Sequence, residues 1–155
     1  MVQSPAEINR AIDLAMGMAR DRLVLVQPGK PQDSAAQGLH VMDVQTGAVV
    51  QRFNDRRSPL AITGGAVNAD GQRLALGRED GSLDVGDAAA GDILFMSRGP
   101  SKPVTCLAYH AAGALASVSL DGMVKVWDGN GRERATMQGH ADSVNAVTFS
   151  PDGRR

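Results

Sequence analysis

The sequence predicts an all-β chain built from repeated four-stranded antiparallel sheets. Three observations predict it: a repeat of about 41 residues, an Asp-Gly pair at one place in successive copies, and period-two apolar alternation around that pair. The repeat is plainest where Val104, Tyr109 and Gly113 are set against Val144, Phe149 and Gly153, each 40 positions later. One step earlier, Ile62, Ala66, Val67 and Gly71 precede Val104, Ala108, Tyr109 and Gly113 by 42 positions. Asp80, Gly81, Leu83, Val85 and Asp87 precede Asp121, Gly122, Val124, Val126 and Asp128 by 41, and Leu39, Val41 and Asp43 form a copy 44 positions before Leu83, Val85 and Asp87.

Within a copy the elements follow in order. Ile62–Val67, Val104–Tyr109 and Val144–Phe149 read as first strands, and Leu74–Gly77 and Leu115–Ser119 as short apolar second strands ended by a turn. Asp-Gly then closes a hairpin, because glycine supplies the positive φ of the tight turn. The alternating third strands contain Leu83 and Val85, or Val124 and Val126, and run into turns at Gly47, Gly91 and Gly131. Fourth strands follow at Ala48–Phe53, Asp92–Met96 and Arg134–Met137. Residues 5–20 admit two readings. Ser4, Pro5 and Glu7 fit a helix capping box with Ile8, Ile12 and Met16 on one face, whereas Ala15 and Met16 hold the place of Ala66 and Val67 in the next copy; the strand is favoured. Gly29–Gln37 is a loop inserted between the second and third strands of the first copy.

With 155 residues, 43% hydrophobic, 21% charged and a formal charge of −1, the composition is that of a globular chain and excludes disorder. The near balance of 16 basic and 17 acidic residues gives no electrostatic footprint for nucleic acid or anionic membrane. No apolar run is long enough to cross a bilayer, and Met1–Glu7 lacks a basic region ahead of an apolar one, so neither membrane span nor signal peptide is expected. The single cysteine, Cys106, excludes an intramolecular disulfide and fits a reducing, intracellular and cytoplasmic setting.

The run from Leu115 through Asp121, Gly122, Trp127 and Asp128, followed by Gly139, His140 and Phe149–Gly153, resembles the WD-repeat β-propeller family. The resemblance is strong from Pro100 onward and weak before Gly38. It implies a partial β-propeller with blades at about 8–53, 54–97 and 98–138 and the first strand of a fourth within 139–155. It also implies a hydrogen-bonded set in the third copy made of Trp127, Ser117 or Ser119, and Asp121, with Asp128, Gly139 and His140 completing the repeat signature. The pattern breaks where Pro100 stands in the place matching His140, and where Gly86 and Met42 replace the Trp in the second and first copies. Those copies are expected to rely on apolar stacking more than on a polar network. Because propellers have about 4 to 8 blades, a fragment of a longer propeller, or half of a ring closed by a second copy, is expected.

Residue types that carry chemistry are present without the spacing chemistry needs. His40, His110 and His140 lie in separate copies with no paired ligand spacing, so no metal is expected. His140, Asp142 and Ser143 have the residue types of a triad, but near neighbours on one loop do not converge on a common centre, and no nucleophile elbow is present. Asp80, Asp84 and Asp87 lack calcium-loop spacing and read as turn and strand-edge carboxylates; Gly64 and Gly65 form no phosphate cradle. Cys106 reads as a buried, inert thiol. Arg52, Arg56 and Arg57, with Arg154 and Arg155, read as solvated loop charge.

Two functional classes remain: a non-catalytic scaffold that binds protein partners, and the propeller portion of an enzyme or multidomain signalling protein whose catalytic part lies elsewhere. The first strands carry no acid, base or ligand set, which favours the scaffold with no cofactor. By family resemblance the partner-binding face includes Glu79, Leu120, Pro100 and Ser101, with Leu120 as the apolar anchor, and self-association or further blades would close the ring.

Overall fold

The computed structural model describes residues 22–27, 38–43, 45–53, 60–88, 90, 92–98, 102–150 and 152. Eleven strands form three antiparallel sheets with no helix among the described residues. The first sheet has the order β1-β2-β3 (Arg22–Gln27, Gly38–Asp43, Val49–Phe53). The second runs β4-β5-β6-β7 (Ile62–Val67, Arg73–Arg78, Ser82–Asp87, Ile93–Arg98), and the third β8-β9-β10-β11 (Val104–Tyr109, Leu115–Ser119, Met123–Trp127, Glu133–Gln138). The all-β, four-stranded antiparallel reading thus holds for the second and third sheets. The expected first strand of the first copy, the inserted loop at 29–37, and Pro100, Ser101, Arg56, Arg57, Arg154 and Arg155 lie outside the described residues.

Alternation decides which side chains meet. On β5, Leu74 and Leu76 join Val41, Ile62, Val67 and Ala88 in the core between the first and second sheets. Ala75, between them, points the other way into a core shared with Ala66, Leu83, Val85, Val104, Leu107, Leu115 and Trp127. Each large aliphatic side chain so buried contributes about 1.5–3 kcal/mol. The sheets approach most closely at their inner strands, where β4 lies against β8. A Cβ on Gly64 would sit 3.9 Å from the Thr105 carbonyl oxygen, and one on Gly77 would fall 2.5 Å from Val104 Cγ1. Glycine at 77 is therefore a condition of the packing.

Turns repeat with the sheets. Gly81 and Gly122 adopt φ of 82° and 79° between second and third strands. Asp80 and Asp121 hold these turns by accepting the N–H groups of Ser82 (2.9 Å) and Met123 (3.1 Å). Between third and fourth strands the Asp that ends each repeat does the same work. Asp43 accepts from Thr46 N–H at 2.9 Å, Asp87 from Ala90 N–H at 2.8 Å, and Asp128 from Asn130 N–H at 2.9 Å. A register shift also recurs at one place, between Val41 and Met42, Val85 and Gly86, and Val126 and Trp127.

One expectation differs. Residues 144–149 form no ladder among the described residues. First strands β4 and β8 are each held by their own second strand, and no described strand pairs with this segment in that way. It lies beside β8 instead, with the Thr105 hydroxyl donating to the Val144 carbonyl and Val144 N–H to the Ser119 carbonyl at 3.3 Å.

Candidate functional site

The third sheet assembles the signature residues from two strands, β9 and β10, and from the segments that follow β9, β10 and β11. Trp127, on β10, is 1% exposed, and its indole N–H donates to the Ser117 hydroxyl of β9 at 2.9 Å. Ser119, two residues along the same face of β9, donates instead to Asp121. The two serines thus divide the roles that the resemblance left open between them. Asp121 Oδ2 is buried with no hydrogen-bond partner among the described residues. Lys125 lies on the Trp127 side of the sheet, its ammonium 5.6 Å from the ring centroid and 2.6 Å from Glu133.

Asp128 is half-buried, bonded to the N–H groups of Asn130 and Arg132, and 3.3 Å from Arg134 Nε. The Arg132 N–H first, then that of Asn130, holds its carboxyl below the usual carboxylate range. Gly139 and His140 are exposed, and the His140 carbonyl oxygen passes so near Gly122 that a Cβ there would be 2.7 Å away. Cys106 is half-buried, its sulfur 4.0 Å from the Val147 carbonyl oxygen. His110 accepts from Ala112 N–H at Nδ1, 3.1 Å, and its ring stands 5.4 Å from that of Phe149.

At the end of the sheets where the second strands finish, Glu79 and Leu120 occupy equivalent places on neighbouring sheets. Each N–H donates to the residue just before a first strand, Glu79 to the Ala61 carbonyl and Leu120 to that of Pro103, both at 3.1 Å. Glu79 is exposed and the Leu120 side chain is 43% exposed, so an apolar group stands out from a turn fixed by Asp121. Pro100 and Ser101 lie outside the described residues.

The second sheet holds a feature that sequence reasoning missed. Asp84, expected as a strand-edge carboxylate, is 5% exposed and paired with Arg78, which is 3% exposed. Arg78 donates from Nε at 2.9 Å and from a terminal nitrogen at 2.5 Å to one Asp84 oxygen, and to the Leu60 carbonyl at 3.3 Å. Arg78 stands 41 positions before Ser119, and Asp84 41 before Lys125. Apolar side chains make up most of this sheet's core, as expected, and a buried charged pair is added to them at the places of Ser119 and Lys125 in the third. Two opposite charges at inward-facing strand positions of neighbouring strands were the available signal.

Repeated four-stranded sheets abutting at their inner strands, with Asp-capped turns at both ends, define a β-propeller segment. Comparison with known proteins gives the same class. Residues 91–128 and 131–155 match the WD domain, G-beta repeat. An uncharacterised WD repeat-containing protein of Synechocystis, sll1491, is 34% identical over 95 residues, covering 59% of this chain and 27% of that protein. Mouse coronin-7 is 33% identical over 96 residues, covering 56% of this chain and 10% of coronin-7. A chain in the crystal structure of the mitotic checkpoint complex superposes with a TM-score of 0.74 over 93% of this chain and 43% of its own length, at 19% identity, a likeness of fold. The chain carries WD repeats over residues 91–128 and 131–155 and has the fold of the β-propeller class. It spans about a quarter or less of the length of these two curated relatives. Propellers of this family generally mediate protein interactions.

Proposed function

We propose that this chain is a non-catalytic scaffold that binds a protein partner through the face bearing Glu79 and Leu120. The observation that carries the reading is Leu120 itself, a large apolar side chain 43% exposed on a turn whose backbone is pinned by Asp121. An apolar anchor already held in place loses little freedom on binding, and the exposed Glu79 at the equivalent turn of the neighbouring sheet supplies a polar group on the same face. Cross-linking and pull-down with wild type and Leu120→Asp test it. A partner retained by wild type and lost by the variant, with unchanged far-UV circular dichroism, is the expected outcome; equal recovery removes this face.

The same reading includes a covered outer side for the third sheet. Val118, Val124 and Met137 form one cross-strand row there; Val118 is fully buried and Val124 half-buried, whereas Met137 is 50% exposed. Further repeats, or a second copy of the chain, would bury it. Light scattering on the isolated chain is expected to show association; a monodisperse 16.2 kDa species with a cooperative melt counts against that part.

A further inference from the structure

The opposite end of the sheets from Leu120 carries a cleft of about 630 Å³ between the second and third sheets. Its walls come from the turn after β4, the turn after β8 and the turn joining β10 to β11, and Arg73 and Tyr109 line it. The volume is that of a small-ligand or peptide site. The walls are preorganised: Asn68 Oδ1 accepts Arg73 N–H at 2.8 Å, and Asp70 Oδ1 accepts Gln72 N–H at 2.8 Å.

Two donors in this cleft are uncommitted. Half-buried Arg73 forms no ion pair among the described residues, so its guanidinium offers its planar fork of N–H groups to whatever enters. The Tyr109 hydroxyl is buried with no hydrogen-bond partner among them, a state that costs free energy until an acceptor arrives. Burial, against the opposing pull of the Arg73 charge, raises the tyrosine well above its usual range, so the group stays a donor at neutral pH. Asp70, at the same rim, disfavours a second anion and favours a cation beside the first.

We propose that this cleft binds a peptide segment through a carboxylate received by the Arg73 guanidinium and the Tyr109 hydroxyl, with a basic residue of the same segment facing Asp70. The site lies at the other end of the sheets from the Leu120 face and does not depend on it. The test is titration of the isotope-labelled full chain, followed by amide NMR, with an acetylated and amidated hexapeptide containing Glu-Lys. One matched peptide carries Gln-Lys, and another Gln-Lys with a free C-terminal carboxylate.

Saturable shifts at Ala112, Gly113 and Gly129 with the Glu-Lys peptide are expected, identifying a side-chain carboxylate as the ligand. Saturation with the free-carboxylate peptide alone assigns the site to a chain end. Arg73→Gln is expected to weaken binding at least tenfold and Tyr109→Phe several-fold, while Leu120→Asp leaves it unchanged. No saturable shift with either carboxylate peptide overturns the proposal, as does an equal response to amidated Gln-Lys. Full binding by Arg73→Gln does the same. Should Arg73→Gln fail to fold, Tyr109→Phe, which removes a single oxygen, decides by the same criterion.

Discussion

The second and third sheets share strand order, Asp-capped turns and a register shift at the same place in the third strand, yet their interiors are built differently. In the third sheet that shift precedes Trp127, whose ring is buried and whose N–H reaches Ser117. In the second it precedes Gly86, where a Cβ would lie 2.7 Å from the Asp92 carbonyl oxygen, so the place of a tryptophan has no room for a methyl group. The second sheet carries a buried Arg78–Asp84 pair instead. The difference teaches that turns and alternation set the backbone of the repeat, while the side-chain network inside it is replaceable.

The comparison can be broken most severely at the tryptophan. Trp127→Ala is expected to cost about 3–5 kcal/mol, since the ring leaves a cavity and the Ser117 hydroxyl loses its donor. Urea denaturation measures it, and a loss below about 1 kcal/mol would show that the third sheet does not depend on the ring. Next comes the charged pair. Asp84→Ala leaves Arg78 buried without its carboxylate and is expected to cost about 3–5 kcal/mol, toward the lower end because Leu60 still accepts one N–H. The double replacement Arg78→Met with Asp84→Leu sharpens the contrast: most of that loss should be recovered, because two desolvated charges give way to packed apolar groups. If the double variant is as unstable as the single, the pair has no apolar substitute.

Gly77→Ala tests the contact between the two sheets. It is expected to cost about 1–3 kcal/mol by forcing Val104 aside. Val104→Ala in the same chain should relieve much of the clash, and a double-mutant cycle with no coupling would contradict it.

The smallest effect is acid sensitivity. Hydrogen bonds from Ser82 hold Asp80 below its ordinary range, Arg132 N–H holds Asp128, and the Lys125 ammonium followed by the Thr136 hydroxyl holds Glu133. A carboxylate with a depressed folded-state pKa adds stability that is complete above its unfolded value and disappears as pH falls through the folded one. Melting temperature should therefore be flat above about pH 4.5 and decline below it. The decline should be shallow, because Asp80 and Glu133 are exposed and Asp128 is only half-buried. Stability that rises on acidification would reverse the assignment.

Much of this fold is legible in the sequence because it depends on short-range features. Asp80-Gly81 and Asp121-Gly122 determine their own turns, and alternation at Leu83, Val85, Val124 and Val126 needs no partner to be recognised. What escapes depends on register and face. Arg78 and Asp84 meet only because β5 and β6 pair Leu76 with Asp84, which turns both charges to the same side. The choice of Ser117 over Ser119 for the indole likewise follows from the β9–β10 register, which sets Trp127 opposite Leu115. The cleft at Arg73 and Tyr109 draws on turns of two sheets, and no spacing along one chain segment announces it.

The hollow at Gly77 bears on how such a chain can change by recombination. Val104 of the next sheet occupies the space a side chain at 77 would take, so each surface is half of a matched pair. A gene segment encoding one sheet, moved or duplicated next to a different neighbour, would bring its knob without the corresponding socket. By this geometry, exchange should cost least where the crossover keeps both halves together. The repeats are alike enough to align, yet the Gly77–Val104 seam makes them poor interchangeable parts.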